Sequence, residues 1–143
     1  TFISQLSEKF GSQCIVVSVD SKKNNKENEK VVIERGTKIT EYNTIDWIKK
    51  CEMHGAGEIF LNSIEHDGNR RGYNLSLIKG VVKYVSIPVI AMGGVLTWDH
   101  LIDGVIETDA SAVAAANIFH YTEHSTRKAK KALLNKNLNF REL

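Results

Sequence analysis

Two spacings of apolar residues run through this chain: short continuous apolar runs, and longer stretches with an apolar residue every three or four positions. Buried strands of a parallel sheet produce the first and amphipathic helices the second. Phe2, Ile3, Leu6 and Phe10 have helical spacing ahead of Gly11, which predicts a short helix over Thr1 to Phe10 stopped by the glycine. Cys14 to Val19 is a valine-rich run that predicts a strand delivering Asp20 at its carboxyl end. The charged stretch Ser21 to Lys30 reads as a solvated loop. Val31 to Glu34 then fits a small extra strand, a hairpin arm lying over the sheet's end.

Further along, Asn43 or Thr44 can cap a helix whose apolar face is Ile45, Trp47, Ile48, Cys51 and Met53, before Gly55 ends it. Glu58 to Leu61 is the second strand, and its polar loop is followed by a helix from about Asn74 with Leu75, Ile78, Val81, Val82 and Val85 on one face. Val89 to Ala91, after Pro88, is a third strand that ends in Met92-Gly93-Gly94. Thr97 can cap a helix reaching about Glu107, with Trp98, Leu101, Ile102, Val105 and Ile106 inward. Ala112 to Ala115 is a fourth strand, and a final helix starts near Glu123 or Ser125 and ends near Asn135.

Strands alternating with helices at this spacing predict an α/β fold, a parallel sheet with right-handed crossovers. A closed barrel of this kind takes eight βα units in roughly 250 residues. Half that number predicts a parallel (βα)4 half-barrel, a single domain over residues 1–143. Its two open edges and exposed concave face invite association. The expected occupant is either a second copy of the chain or a missing N-terminal half, and the start at Thr1 rather than methionine fits a cut from a longer protein.

Composition narrows the function. With 143 residues, 42% of them hydrophobic, the chain can bury one real core. Its 19 basic and 17 acidic residues nearly balance, so neither nucleic acid nor an anionic membrane is an expected partner. The apolar stretch Val85 to Val95 is interrupted by Ser86, Pro88 and two glycines and is too short to span a bilayer. No signal-peptide pattern opens the chain, and a reducing cytoplasm is the expected compartment. Cys14 and Cys51 read as small buried hydrophobes. His66, His100, His120 and His124 lack a metal-ligand spacing, so no metal site is expected. Neither a serine nucleophile elbow nor a Walker-type loop is present.

What chemistry remains gathers where strands end. Asp67-Gly68, Gly93-Gly94 and Ala116-Asn117 each follow a strand. Glycine lets the main chain approach an oxyanion closely, and amides at a helix start offer donors to phosphate. Gly93, Gly94, Ala116 and Asn117 can therefore form a phosphate pocket, or Gly93-Gly94 can be no more than a tight strand-to-helix turn. Asp20 and Asp67 end neighbouring strands and can overlook one cavity, as paired carboxylates for acid/base work do. A strand-end aspartate equally serves as a helix cap or loop anchor. Arg70 and Arg71 read as a solvated pair in a mobile loop rather than as an anion site.

Four motifs occur in order: Phe10-Gly-Ser-Gln-Cys-Ile-Val-Val-Ser-Val-Asp20, Gly55-Ala-Gly-Glu-Ile with Ser63-Ile and Asp67-Gly, Ile87-Pro-Val-Ile-Ala-Met-Gly-Gly94, and Ala114-Ala-Ala-Asn-Ile-Phe-His120. Together they closely resemble the C-terminal half of the cyclase subunit of imidazole glycerol phosphate synthase, from histidine biosynthesis, over nearly the whole chain. That resemblance implies half of a (βα)8 TIM barrel. In its complete form the barrel closes an imidazole ring on a phosphoribulosyl aminoimidazole carboxamide substrate, using ammonia passed from a glutaminase partner and no metal or organic cofactor.

The resemblance assigns roles residue by residue. Asp20 matches one of two catalytic carboxylates, an acid/base partner, the other belonging to the N-terminal half. Asp67, Gly68, Gly94, Ala116 and Asn117 match a phosphate site, Asn117 standing for the usual serine. Glu58 matches a gate through which ammonia enters the barrel's lower end. Thr40 matches a substrate-near threonine, with Glu41 where glycine is usual. Glu65, Met92 and Asn62 replace an aspartate, a small polar residue and a threonine on the catalytic rim. Those departures fit better a branch of the family that supplies glutaminase-derived ammonia to amidate a bacterial surface sugar. A third reading is an isolated half-barrel that binds phosphate and catalyses nothing.

Overall fold

In the computed structural model, residues 1–26, 28–120 and 126–138 are described. The strands are β1 (Val16–Lys23), β2 (Glu29–Ile33), β3 (Lys38–Asn43), β4 (Glu58–Ser63), β5 (Val89–Met92) and β6 (Ala112–Val113). The helices are α1 (Phe2–Phe10), α2 (Thr44–Met53), α3 (Leu75–Val82), α4 (Trp98–Ile106) and α5 (Thr126–Leu134). All six strands join one sheet in the order β3-β2-β1-β4-β5-β6. The four from β1 to β6 across its centre and far edge are parallel, and β2 and β3 form an antiparallel hairpin on the near edge. This is the α/β architecture of a partial TIM barrel, with a hairpin added. The expected start of the last helix at Glu123 or Ser125 lies outside the described residues.

Local chemistry explains the helix starts. The Asn43 side-chain oxygen accepts the amides of Ile45 and Asp46, that of Asn74 the amide of Leu77, and the Thr97 hydroxyl the amide of His100. Each occupies an otherwise orphaned donor of a first turn. Gly57 is fixed by crowding, since a Cβ there would lie 2.0 Å from the Ser12 carbonyl oxygen.

The structure corrects several expectations. Ser21–Lys23 is not loop but the end of β1, because its backbone pairs with Glu29–Val31 of β2. Strand β3 was not expected, since Lys-Ile-Thr-Glu-Tyr-Asn buries neither face and is held by pairing to β2. Cys14 is exposed, in a 3-10 turn before β1, while Cys51 is buried. Met53 is 84% exposed at the last position of α2, and Ile106 is 52% exposed at the end of α4. In α3 the buried face runs through Leu77, Ile78 and Val81, with Leu75 only partly buried. The fourth strand is shorter than expected, at Ala112–Val113.

Strand register sorts the residues onto two faces. Odd-numbered positions, among them Val19, Ile59, Leu61, Val89 and Ala91, are buried against Ile48, Cys51, Ile78, Val81, Leu101 and Leu133 of the helices. Even-numbered positions, Val16, Ser18, Asp20, Glu58, Phe60, Asn62, Ile90, Met92 and Ala112, lie on the other face, partly or fully exposed.

Candidate functional site

At the carboxyl end of the open face, β1 and β4 bring Asp20 opposite Asn62. The Asn62 Nδ2 donates to Asp20 Oδ1 at 3.0 Å, which fixes the carboxylate toward the middle of the sheet. Asn62 Oδ1 is buried and accepts no hydrogen bond, a costly state that invites a donor. Below this pair on the same face come Ser18 beside Phe60, then Val16 beside Glu58. Glu58 is thus four residues down β4 from Asn62, about 13 Å at the usual rise of a strand. The acid/base candidate and the gate candidate occupy opposite ends of one surface.

The glycine motifs meet. Asp67, Gly68, Met92, Gly93, Gly94, Ala116 and Asn117, far apart in sequence, line one narrow cleft. Gly93 has φ 109° and a Cβ there would lie 2.7 Å from the Ser63 carbonyl oxygen; Gly94 has φ 94° and its Cβ would meet the Gly72 carbonyl oxygen at 2.2 Å. Only glycine suits either position. Along Gly93-Gly94 the wall is main chain alone, and Asn117 Nδ2 lies 3.8 Å from the Cβ position of Gly68. Such a wall lets an oxyanion approach the main chain closely. Asp67 is exposed, and its amide is engaged by the Ser63 carbonyl at 2.9 Å.

Thr40 is not brought to this cleft. It lies on β3, where its hydroxyl donates to the Val31 carbonyl at 2.8 Å.

Three residues that support the cleft were not singled out by sequence reasoning. The Gly72 amide donates to the Gly94 carbonyl at 2.8 Å, and the Gly72 carbonyl in turn accepts from His66 Nδ1 at 2.8 Å. The next residue, Tyr73, is buried and donates its hydroxyl to the Ala114 carbonyl at 2.8 Å; burial pushes its phenol pKa well up. The loop between β4 and α3 therefore braces both other cleft walls. Glu29 is the third. Its carboxylate accepts from Ser21 Oγ at 2.9 Å and Asn74 Nδ2 at 2.8 Å, tying the hairpin to the cap of α3. A glycine followed by an aromatic residue after a polar loop was the one signal that could have marked Tyr73.

Among the described residues no group of three or more His, Cys, Asp or Glu could hold a metal ion. Nor, among the described residues, is any helix long and apolar enough to cross a membrane.

Comparison with known proteins gives the family. The model of the family described as "Histidine biosynthesis protein" matches residues 1–125. A protein of Vibrio vulnificus (strain YJ016) named "Putative imidazole glycerol phosphate synthase subunit hisF2" is 46% identical over 140 residues, covering 98% of this chain and 51% of that protein. The chain spans about half the length of this curated relative. By the match along most of its length, this chain belongs to the histidine biosynthesis protein family.

Proposed function

We propose that this chain forms the C-terminal half of an ammonia-dependent cyclase barrel of the imidazole glycerol phosphate synthase type. What carries the reading is the convergence of Asp67, Gly68, Gly93, Gly94, Ala116 and Asn117 on one cleft at the strand end that also holds Asp20. The name of the Vibrio vulnificus relative and its double length support it further. The cleft takes a phosphate of a phosphoribulosyl aminoimidazole carboxamide substrate. Asp20, held by Asn62, accepts a proton from the attacking nitrogen and returns it to the departing oxygen during ring closure. Ammonia arrives from a glutaminase partner past Glu58 at the far end of the open face. Thr40 belongs to this reading through the resemblance alone.

An N-terminal half closes the open face and brings the second carboxylate. Single residues of an acid/base pair commonly contribute 10²–10⁴-fold. Mixing the chain with a separately produced N-terminal half should yield ammonia-dependent cyclase turnover, and Asp20→Asn should lower kcat by at least about 100-fold.

Met92 in the cleft wall favours a second reading, in which a side chain bulkier than the family's usual one admits no such substrate and the chain passes ammonia to a separate sugar amidotransferase. Under that reading Asp20→Asn changes little and Glu58→Gln abolishes transfer.

A further inference from the structure

A cavity of about 480 Å³ opens between the end of β1 and the loop that joins β4 to α3. It shares no lining residue with the glycine cleft. Small-molecule sites commonly measure about 300–1,000 Å³, so its size suits a ligand. Its charge is one-sided: Lys22, Lys23 and Arg71 face it against the single carboxylate of Glu65, and that carboxylate is already directed at the backbone amide of Lys23, at 3.1 Å.

The remaining polar lining is fixed in place. The Gly72 carbonyl can only accept, so His66 Nδ1 carries the hydrogen of their 2.8 Å bond, which ties the ring to the loop. Asn74 is spent on Glu29 and on the first turn of α3. The glycine cleft offers main chain to an anion; this cavity offers side-chain charge.

We propose that the cavity is a second anion-binding site, which takes the phosphate or carboxylate group of a small molecule through Lys22 and Arg71. The planar guanidinium of Arg71 suits either group in a two-point contact. The site does not depend on the cyclase reading, and Arg71, expected from sequence to be one of a solvated pair, gains a function here.

Titration of the full chain with inorganic phosphate, and separately with citrate, followed by backbone amide NMR, tests it. The amides of Lys22, His66 and Arg71 should shift saturably with at least one of the two, and which one assigns phosphate or carboxylate. Arg71→Ala should weaken that response about tenfold or more, the worth of a charge-assisted hydrogen bond. The amides of Gly68, Gly94 and Asn117 should then titrate as before. Lys22→Ala is the second variant should Arg71→Ala fold poorly. Shifts confined to the glycine cleft, or unchanged affinity in a folded variant, overturn the cavity site and leave the cyclase reading standing. A silent glycine cleft with a responding cavity does the reverse.

Discussion

Neighbouring residues of β4 face opposite fates. Ile59 and Leu61 are 0% and 1% exposed, sealed under the helices, while Phe60 between them is only partly buried, on the face that no helix among the described residues covers. The same contrast runs along β1, where Val19 is buried and Val16 is 52% exposed. One face of the sheet holds the fold together; the other holds Asp20, Asn62 and Glu58. Because the two sets alternate along the same strands, chemistry can change on one face without loosening the other.

The sharpest test of that division is a pair of truncations one residue apart. Leu61→Ala should cost about 2–5 kcal/mol in urea unfolding, the usual range for a core leucine. Phe60→Ala in the chain alone should cost less than Leu61→Ala, since part of the Phe60 ring is already exposed. Equal costs would mean that the open face is covered, and the pair repeated across protein concentration would then show whether a second copy covers it.

Tyr73 gives a smaller effect with a pH signature. Tyr73→Phe leaves the Ala114 carbonyl without its hydroxyl donor and should cost about 1 kcal/mol. Burial raises the folded-state pKa of this phenol, so the fold favours its neutral form. Its stabilisation is complete below the unfolded value of about 10 and is lost as pH rises toward the folded value. Stability measured from pH 9 upward should fall in the parent and fall less in Tyr73→Phe. The mildest probe needs no mutation: a thiol reagent should label exposed Cys14 in the native protein and reach Cys51 only on unfolding, because burial both shields that thiol and pushes its pKa up. Equal labelling rates would mean that the helical face is not sealed.

How far the sequence foretold this molecule depends on which face or edge is asked about. Strands β4 and β5 are legible because their apolar runs are buried and end in polar or glycine loops. The caps Asn43 and Thr97 are legible because a single side chain does the work locally. Only one arm of the hairpin is, at Val31 to Glu34: Lys22, Lys23 and β3 owe their extended backbone to pairing partners elsewhere in the chain, not to any apolar period. The convergence of the glycine motifs was foreshadowed by their shared place after strands. The cavity with Lys22 and Arg71 was not, since charge in a loop looks the same whether it faces water or a pocket. Met53 and Ile106 mislead because a helical period continues past the point where the sheet beneath it stops.

The two-residue length of β6 also sets an order of events in time. It pairs with β5 at two positions, whereas β1 pairs with β4 at six and is backed on its other side by the hairpin. Fluctuations that open a native protein begin where the ladder is shortest. The wall carrying Ala116 and Asn117 therefore breathes first, and the Asp20–Asn62 pair persists until the sheet itself parts, so on the proposed reading an anion leaves the cleft by motions too small to disturb the carboxylate.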